Sequence, residues 1–407
     1  MPSRWIIGLT SGASADGVDA ALLEIEGVGL NLKVRLAQAL HQPYGGELRG
    51  RIVRAAESES IDSQEVCLLH RLLGETFAAA ARQVADRASF TLHKTQCIGC
   101  AGHTVRHDPE GRFPSTLSLG MPAIVAERTG ITTVHDFRSR DMAAGGQGVP
   151  LEALADFLLF RRPDESRVLL HLGGLARIVF LPSGRGRIEE ILGFEPGPCN
   201  VLLDALIRQA TGGRERFDPG GRHAVQGRCL EPVLQKWLGH PYLLRRPPKS
   251  LPRHLFGEEF VAQVLRQARQ ENWSVHDLLC TATHFVVRGI TDSLRRYLPS
   301  GRSPDRILLT GGGVRNGLLL HLLQQQLSAI PFDRTDAHGV LAEARKAMCI
   351  GVLTALCMDG VPANVPSATG AVGSRLLGSW TPGSSANWAR CLGWMAAQSI
   401  PPTANDD

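Results

Sequence analysis

Apolar positions along this chain fall into short continuous runs and longer stretches with a three-and-four spacing. The first run, Trp5-Ile6-Ile7-Gly8-Leu9, predicts a buried strand, and Val18 to Glu26 partly alternates and predicts its partner. Thr10 to Gly17 between them is all small or polar, which predicts a tight turn. Its backbone N–H groups can form a concave anion site. The pattern returns at Val168–Leu172, Gly173-Gly174 and Leu175–Leu181. Two such strand–turn–strand units predict two related lobes with their turns across a cleft. A third glycine turn, Gly311-Gly312-Gly313, follows the strand Arg306–Thr310 and precedes a helix from Asn316 to about Leu327. Amide groups at such a helix start favour anions.

Helical spacing predicts Leu48–Ala56 and Ser63–Ala88, the latter carrying Val66, Leu69, Leu72, Leu73, Phe77 and Ala80 on one face. Further helices are expected over Met121–Thr129, Leu151–Phe160, Val201–Ala210, Phe256–Glu271, Val275–Leu298, Leu341–Met358 and Ala386–Ala397. Strands are expected over Leu32–Leu40, Gln96–Gly102 and Ile131–Val134. The mixture is an α/β pattern. The glycine-rich stretch Met142–Pro150 marks a hinge. It sets the expected division: lobe I over 1–140 plus about 360–400, lobe II over 141–359, and a flexible tail at 401–407.

Composition narrows the function classes. The 407 residues suffice for two domains, and 43% hydrophobic with 20% charged is ordinary for a globular protein. The net charge of +5 comes from scattered basic residues, so nucleic acid is not an expected partner. No apolar run reaches membrane-spanning length, and Met1-Pro2-Ser3-Arg4 leads at once into a strand, so neither a membrane span nor a signal peptide is expected. Nine cysteines, mostly within apolar segments (Cys67, Cys229, Cys280, Cys349, Cys357), fit reduced, buried thiols in a cytoplasmic protein. Cys97-Ile98-Gly99-Cys100 has metal or redox spacing. In a strand, however, residues three apart face opposite ways, so these are expected to be core thiols.

Three stretches could carry chemistry. Asp16 in the first turn cannot hold a phosphate, but it could hold a metal ion or orient a water. Asp136 to Pro150 interleaves Arg138, Arg140 and Asp141 with glycines and Gln147. These groups can pair with one another, or hold sugar hydroxyls or a carboxylate. Gly193-Phe194-Glu195-Pro196-Gly197-Pro198-Cys199-Asn200 is a stiff turn before a helix, with Asn200 as a fitting N-cap. Glu195 there is a candidate general base, the plainer alternative being a surface glutamate in a tight loop.

These stretches, with Gly102-His103-Thr104-Val105-Arg106-His107, Glu127–Thr132, Pro247-Pro248-Lys249-Ser250, Gly311–Asn316 and Thr335-Asp336 with Gly339, resemble the 1,6-anhydro-N-acetylmuramic acid kinases from Ile7 to about Pro382. The resemblance implies a two-lobed actin-like ATPase (ribonuclease H-like) fold, each lobe a mixed sheet flanked by helices. It implies ATP and Mg²⁺ between the lobes, an amino-sugar substrate, a homodimer, and a cytoplasmic role in recycling cell-wall peptidoglycan sugar. In that reaction a carboxylate activates water, which attacks the anomeric carbon and opens the anhydro bridge. The freed 6-oxygen then takes the γ-phosphoryl group. Carried over residue by residue, the base is Glu195. Gly12, Ala13, Ser14, Asp16, Gly17, Asp19, Gly173, Gly174, Gly311, Gly312, Gly313 and Asn316 face the nucleotide, with Asp16 on the metal. His103, Thr104, Arg138, Arg140, Asp141, Gln147 and Asn200 face the sugar.

The chain departs from the family pattern near the chemistry. The base is usually Asp, and here it is Glu195. Ala13 stands for a Thr, His171 and Arg177 for two Asn flanking the second turn, and Lys346 for a Glu. Ala101-Gly102-His103-Thr104 stands for His-Gly-Gln-Thr, and Leu251-Pro252-Arg253-His254 for Thr-Gly-Arg-Glu. A kinase of another sugar and a ligand-binding relative without catalysis are therefore the alternatives to the family's own activity.

Overall fold

The computed structural model describes residues 3–58, 60–184, 186–298 and 303–398. The tail expected over 401–407 lies outside the described residues. β1 (Ser3–Thr10) and β2 (Gly17–Glu26) are buried along most of their length and form an antiparallel hairpin, with Ile7 opposite Leu22 and Thr10 opposite Asp19. β3 (Lys33–Pro43) continues the sheet antiparallel to β2, and β4 (Thr95–Cys100) lies parallel to β1. β5 (His103–Asp108) and β6 (Ser115–Leu119) form a separate two-stranded hairpin. β7 (Thr133–His135) then adds parallel to β4.

Side-chain alternation decides what covers this sheet. Ile7, Leu9, Ile98 and Cys100 join the core built with Leu69, Leu73 and Phe77 of the helix Ser63–Arg87. Gly8 and Gly99, register partners on the opposite face, admit the helix Arg345–Met358. A Cβ on Gly8 would collide with the Ala347 carbonyl, and one on Gly99 with the Thr354 hydroxyl. Cys97 and Cys100 are buried free thiols, as their strand position implies. Cys67 is exposed on its helix, contrary to the buried thiol expected there, because the apolar stripe of that helix passes it by.

The second sheet comprises β8 (Arg167–Leu172), β9 (Ala176–Leu181), β10 (Leu192–Phe194), β11 (Arg306–Thr310) and β12 (Phe332–Arg334). β8–β9–β10 is an antiparallel meander, and β11 and β12 add parallel beyond β8. The order is third, second, first, fourth, fifth, as in the first five strands of the other sheet, with the same strand senses. The helices Val275–Tyr297 and Gly317–Gln326 pack on it through Val286, Ile290, Leu319 and Leu323. Two ribonuclease H-like sheets in one chain are the expected actin-like ATPase fold. Near the end of the chain, β13 (Ser379–Thr381) returns to pair with β7.

The compact units are residues up to Phe160 with those from Glu343 onward, and Arg161–Ala342. This corrects the division at 140/141 and 359/360. The helix Arg345–Met358 lies on β1, β2 and β4. The helix Ala153–Phe160 packs on it, held by a buried ion pair between Asp156 and Arg345. Both helices therefore belong with the first sheet. No helix among the described residues is long and apolar enough to cross a membrane.

Candidate active site

In the first unit the turn between β1 and β2 is braced from below. Ala15 N–H donates to the Gly12 carbonyl at 3.1 Å, and Ala15 sits at φ +49°, so the chain curls sharply around Ser14. Ser14 Oγ donates to Asp16 Oδ1 at 2.9 Å, and both residues are exposed with Ala13. Tyr44 donates to Ser11 Oγ at 2.8 Å, and Ser11 Oγ lies 2.9 Å from His103 Nδ1. His103, expected against the sugar, is buried and supports the turn from behind. Asp19 lies 2.7 Å from His41 Nδ1. Burial holds its carboxyl above the ordinary range, against the opposing pull of His41 and of Lys346.

The interleaved acids and arginines separate into different jobs. Ser139–Ala143 is a short helix that the glycine-rich pattern had hidden. Asp141 is fully buried. It accepts from Gly148 N–H (2.8 Å), Asn364 Nδ2 (2.8 Å) and Thr369 Oγ1 (2.7 Å), so it ties the loop together and cannot meet a sugar. Arg138 donates to Thr104 Oγ1 at 3.0 Å, which joins those two expected site residues. Gln147 is anchored by its N–H on the Thr369 carbonyl at 2.8 Å, while its buried Oε1 has no partner among the described residues. Arg140 is exposed and lines an open cavity of about 510 Å³ with Ala143, Gly145, Val372 and Arg375.

The second unit gathers its expected residues more tightly. Gly173 and Gly174 turn the β8–β9 hairpin, and their carbonyls accept from Asn200, Cys199 and Val201 N–H at 2.9–3.1 Å. The turn before the helix Asn200–Ala210 is thereby fastened to the hairpin. Asn200 is the first helical residue and not the N-cap; its Nδ2 reaches the Leu172 carbonyl at 3.4 Å. Gly311, at φ +91°, passes so near the Leu172 carbonyl that a Cβ would lie 2.6 Å from it. A Cβ on Gly313 would lie 3.3 Å from Asn200 Oδ1. Gly173, Gly311, Gly313 and Asn200 thus form one small surface of backbone and amide groups. Asn316 caps the helix Gly317–Gln326, its Oδ1 accepting from Leu319 N–H at 3.1 Å.

Glu195 is 4% exposed. Its Oε1 accepts from Arg177 Nη2 at 3.2 Å and its Oε2 from Leu251 N–H at 2.9 Å. The backbone on either side is held as well. Glu195 N–H donates to the Lys249 carbonyl at 3.1 Å, and Tyr242 donates to the Glu195 carbonyl at 2.7 Å. This is an ionisable group aimed by donors, not a surface glutamate. Each oxygen keeps a second lone pair, so the carboxylate can still receive a proton.

Sequence reasoning passed over two ionisable residues of this unit. Asp204 lies one helical turn after Asn200, a spacing that could have flagged it, and burial pushes its carboxyl up to about 6. Lys249 is 2% exposed, with Nζ 3.2 Å from the Tyr242 and Leu243 carbonyls and over the Tyr242 and Tyr297 rings. Burial, then Arg245 and Arg296, pulls its ammonium down to about 8. An unfolded lysine titrates near 10.4, so between about pH 8 and pH 10 the unfolded chain binds the extra proton. Stability relative to a Lys249→Met variant is therefore expected to rise with pH across that window, by about 1–3 kcal/mol in all. Urea unfolding of both proteins at pH 7.5, 9 and 10 checks this; a constant difference would refute it.

Comparison with known proteins follows the same residues. The family model for anhydro-N-acetylmuramic acid kinase matches residues 4–383. The protein of that name from Gloeobacter violaceus is 40% identical over 374 residues, covering 91% of this chain and 97% of its own. Its namesake from Bacillus thuringiensis subsp. konkukian is 35% identical over 383 residues, covering 93% and 99%. That from Salinibacter ruber is 37% identical over 382 residues, covering 92% and 96%. Because the match runs through both hairpins and both of the turns that gather around Asn200, this chain belongs to the anhydro-N-acetylmuramic acid kinase family.

Proposed function

We propose that the protein opens 1,6-anhydro-N-acetylmuramic acid with water and phosphorylates it from ATP, with Glu195 as general base. The observation that carries the mechanism is the buried Glu195 carboxylate with one fixed donor on each oxygen. The substrate comes from the family, and nearly the whole length of the named relatives is matched. Glu195 takes a proton from water, and the water oxygen bonds to the anomeric carbon. The bond from that carbon to the bridging 6-oxygen breaks, and the 6-oxygen takes the γ-phosphoryl group as ADP leaves. The products are N-acetylmuramic acid 6-phosphate and ADP. The backbone amides of the Gly12–Gly17, Gly173-Gly174 and Gly311–Gly313 turns orient phosphate oxygens, and Asn200 helps to seat the sugar.

Among the described residues no cluster of three or more His, Cys, Asp or Glu could cage a metal ion. A single exposed carboxylate at Asp16 fits Mg²⁺, which keeps waters and takes much of its coordination from substrate phosphates. Mg²⁺ there would neutralise phosphate charge. The reading extends to a cytoplasmic homodimer, on the strength of the resemblance. All nine cysteines are free thiols, which agrees with a reducing compartment.

The test is turnover of ATP and 1,6-anhydro-N-acetylmuramic acid in ¹⁸O-labelled water. One label is expected in the sugar, at the anomeric hydroxyl, and none in the phosphate. ADP formed only with a different sugar would reassign the substrate. ATP binding without turnover of any sugar would favour a ligand-binding relative.

A further inference from the structure

One end of the second sheet carries a row of polar side chains, of which the chemistry above uses only the last. The register sets Thr310 beside His171 and His171 beside Arg177. One residue past the Phe194–Ile178 pair, Glu195 comes opposite Arg177. Cross-strand neighbours project from the same face, so the row runs Thr310, His171, Arg177, Glu195. Arg177 is confined from both sides. Its Nη2 meets Glu195 Oε1 at 3.2 Å, and beside it the His171 ring fills the space over the glycine turns. A Cβ on Gly311 would lie 3.0 Å from His171 Cε1, and one on Gly173 would collide with the same ring.

A glutamate has one more rotatable bond than an aspartate, and its carboxylate can swing. Here both oxygens are claimed, one by Leu251 N–H from the following loop and one by Arg177 from the neighbouring strand. Removing the guanidinium would leave Oε1 buried without its donor, and the side chain would turn away to find one.

We propose that Arg177 is a positioning residue for the reaction: it fixes where the Glu195 carboxylate presents itself to water, and acts through Glu195 rather than on either substrate. The proposal rests on the reading of Glu195 as base. Displacing a reacting group by about 1 Å costs on the order of a hundredfold in rate, which sets the expected effect.

The test uses the full-length protein with Arg177→Gln, Arg177→Lys, Glu195→Gln, Arg177→Gln with Glu195→Gln, and Arg177→Lys with Glu195→Gln, each checked for an intact melting transition. Arg177→Gln is expected to lower kcat by about a hundredfold, with KM for ATP within about twofold of wild type. Arg177→Lys is expected to recover about tenfold of that loss. In the Glu195→Gln background either change at Arg177 should alter the residual rate by less than about twofold, since a residue that acts through the base has nothing left to act on. Losses that multiply in that background would mean that Arg177 meets a substrate itself, and would overturn the proposal. So would an Arg177→Gln protein as fast as wild type. If Arg177→Gln does not fold, the Arg177→Lys pair decides between the same outcomes. Wild-type protein without any sugar turnover would refute the kinase reading and this proposal together; an active wild type with an indifferent Arg177 refutes the proposal alone.

Discussion

Glu195→Gln is expected to lower kcat by about 10³–10⁴-fold while leaving ATP binding intact, the range for loss of a general base. Glutamine keeps the length of the side chain and an oxygen for the Leu251 N–H. It cannot take a proton from water, and with its oxygen on the Leu251 N–H its NH₂ offers Arg177 no acceptor. Glu195→Asp is expected to fall by about a hundredfold, because the shorter arm cannot reach both Arg177 and the Leu251 amide. Steady-state ADP release with nucleotide titration by calorimetry separates these cases. A Glu195→Gln protein retaining a tenth of wild-type kcat would remove Glu195 from the mechanism, whatever its surroundings.

The largest stability effect is expected at the ion pair between Asp156 and Arg345. Arg345 Nε lies 2.8 Å from Asp156 Oδ1, its Nη2 bonds the other oxygen, and both side chains are excluded from water. Cys349 Sγ adds a contact at 3.4 Å. Burial, helped by the charge of Glu152, raises the Asp156 carboxyl above its usual range, and Arg345 opposes that shift. Asp156→Ala leaves a guanidinium in the core without its hydrogen-bonded carboxylate, which costs about 3–5 kcal/mol. That is a large share of the roughly 5–15 kcal/mol that holds most domains together. The joint replacement Asp156→Leu with Arg345→Met removes both charges and is expected to come back to within about 1–2 kcal/mol of wild type. Chemical unfolding of the three proteins measures the contrast. A single Asp156→Ala that costs less than about 1 kcal/mol, the scale of an exposed pair, would show that water reaches the pair.

Much of this was legible in the sequence, and what was not has identifiable causes. The two hairpins showed because central strands, packed on both faces, leave unbroken apolar runs on either side of a small-residue turn. The helix Ser63–Arg87 showed because its core stripe repeats at three and four. β10, β12 and β13 have three residues each, too few for any period to register. β5 and β6 form a largely polar hairpin in which only Val105 and Leu119 reach the core, too few apolar positions for an alternation to register. The unit boundary escaped because Arg345–Met358 is apolar almost all round: the pattern says that the helix is buried, not which sheet buries it.

The site was half legible for a related reason. Residue type indicates what a side chain can bond, and the fold decides what it bonds first. Asp141, His103 and Asn316 have ligand chemistry, but Asp141 and His103 spend it on neighbouring loops and Asn316 on the start of its own helix. Arg177 stood out as a departure from its family pattern, but its match with the equally unusual Glu195 exists only in the register of β8, β9 and β10.

The insertion of one unit within the other has a consequence for how the protein is made. β1, β2 and β4 leave the ribosome early, yet the helix that fits over Gly8 and Gly99 begins only at Arg345, after the whole of Arg161–Ala342. At about 5–20 residues per second, that interval lasts roughly ten to forty seconds. Throughout it, one apolar face of the first sheet stands without its cover beside the growing chain. Synthesis of this protein therefore passes through a long-lived nascent state that trigger-type and holdase chaperones would recognise, and slow codons within 161–342 would prolong it.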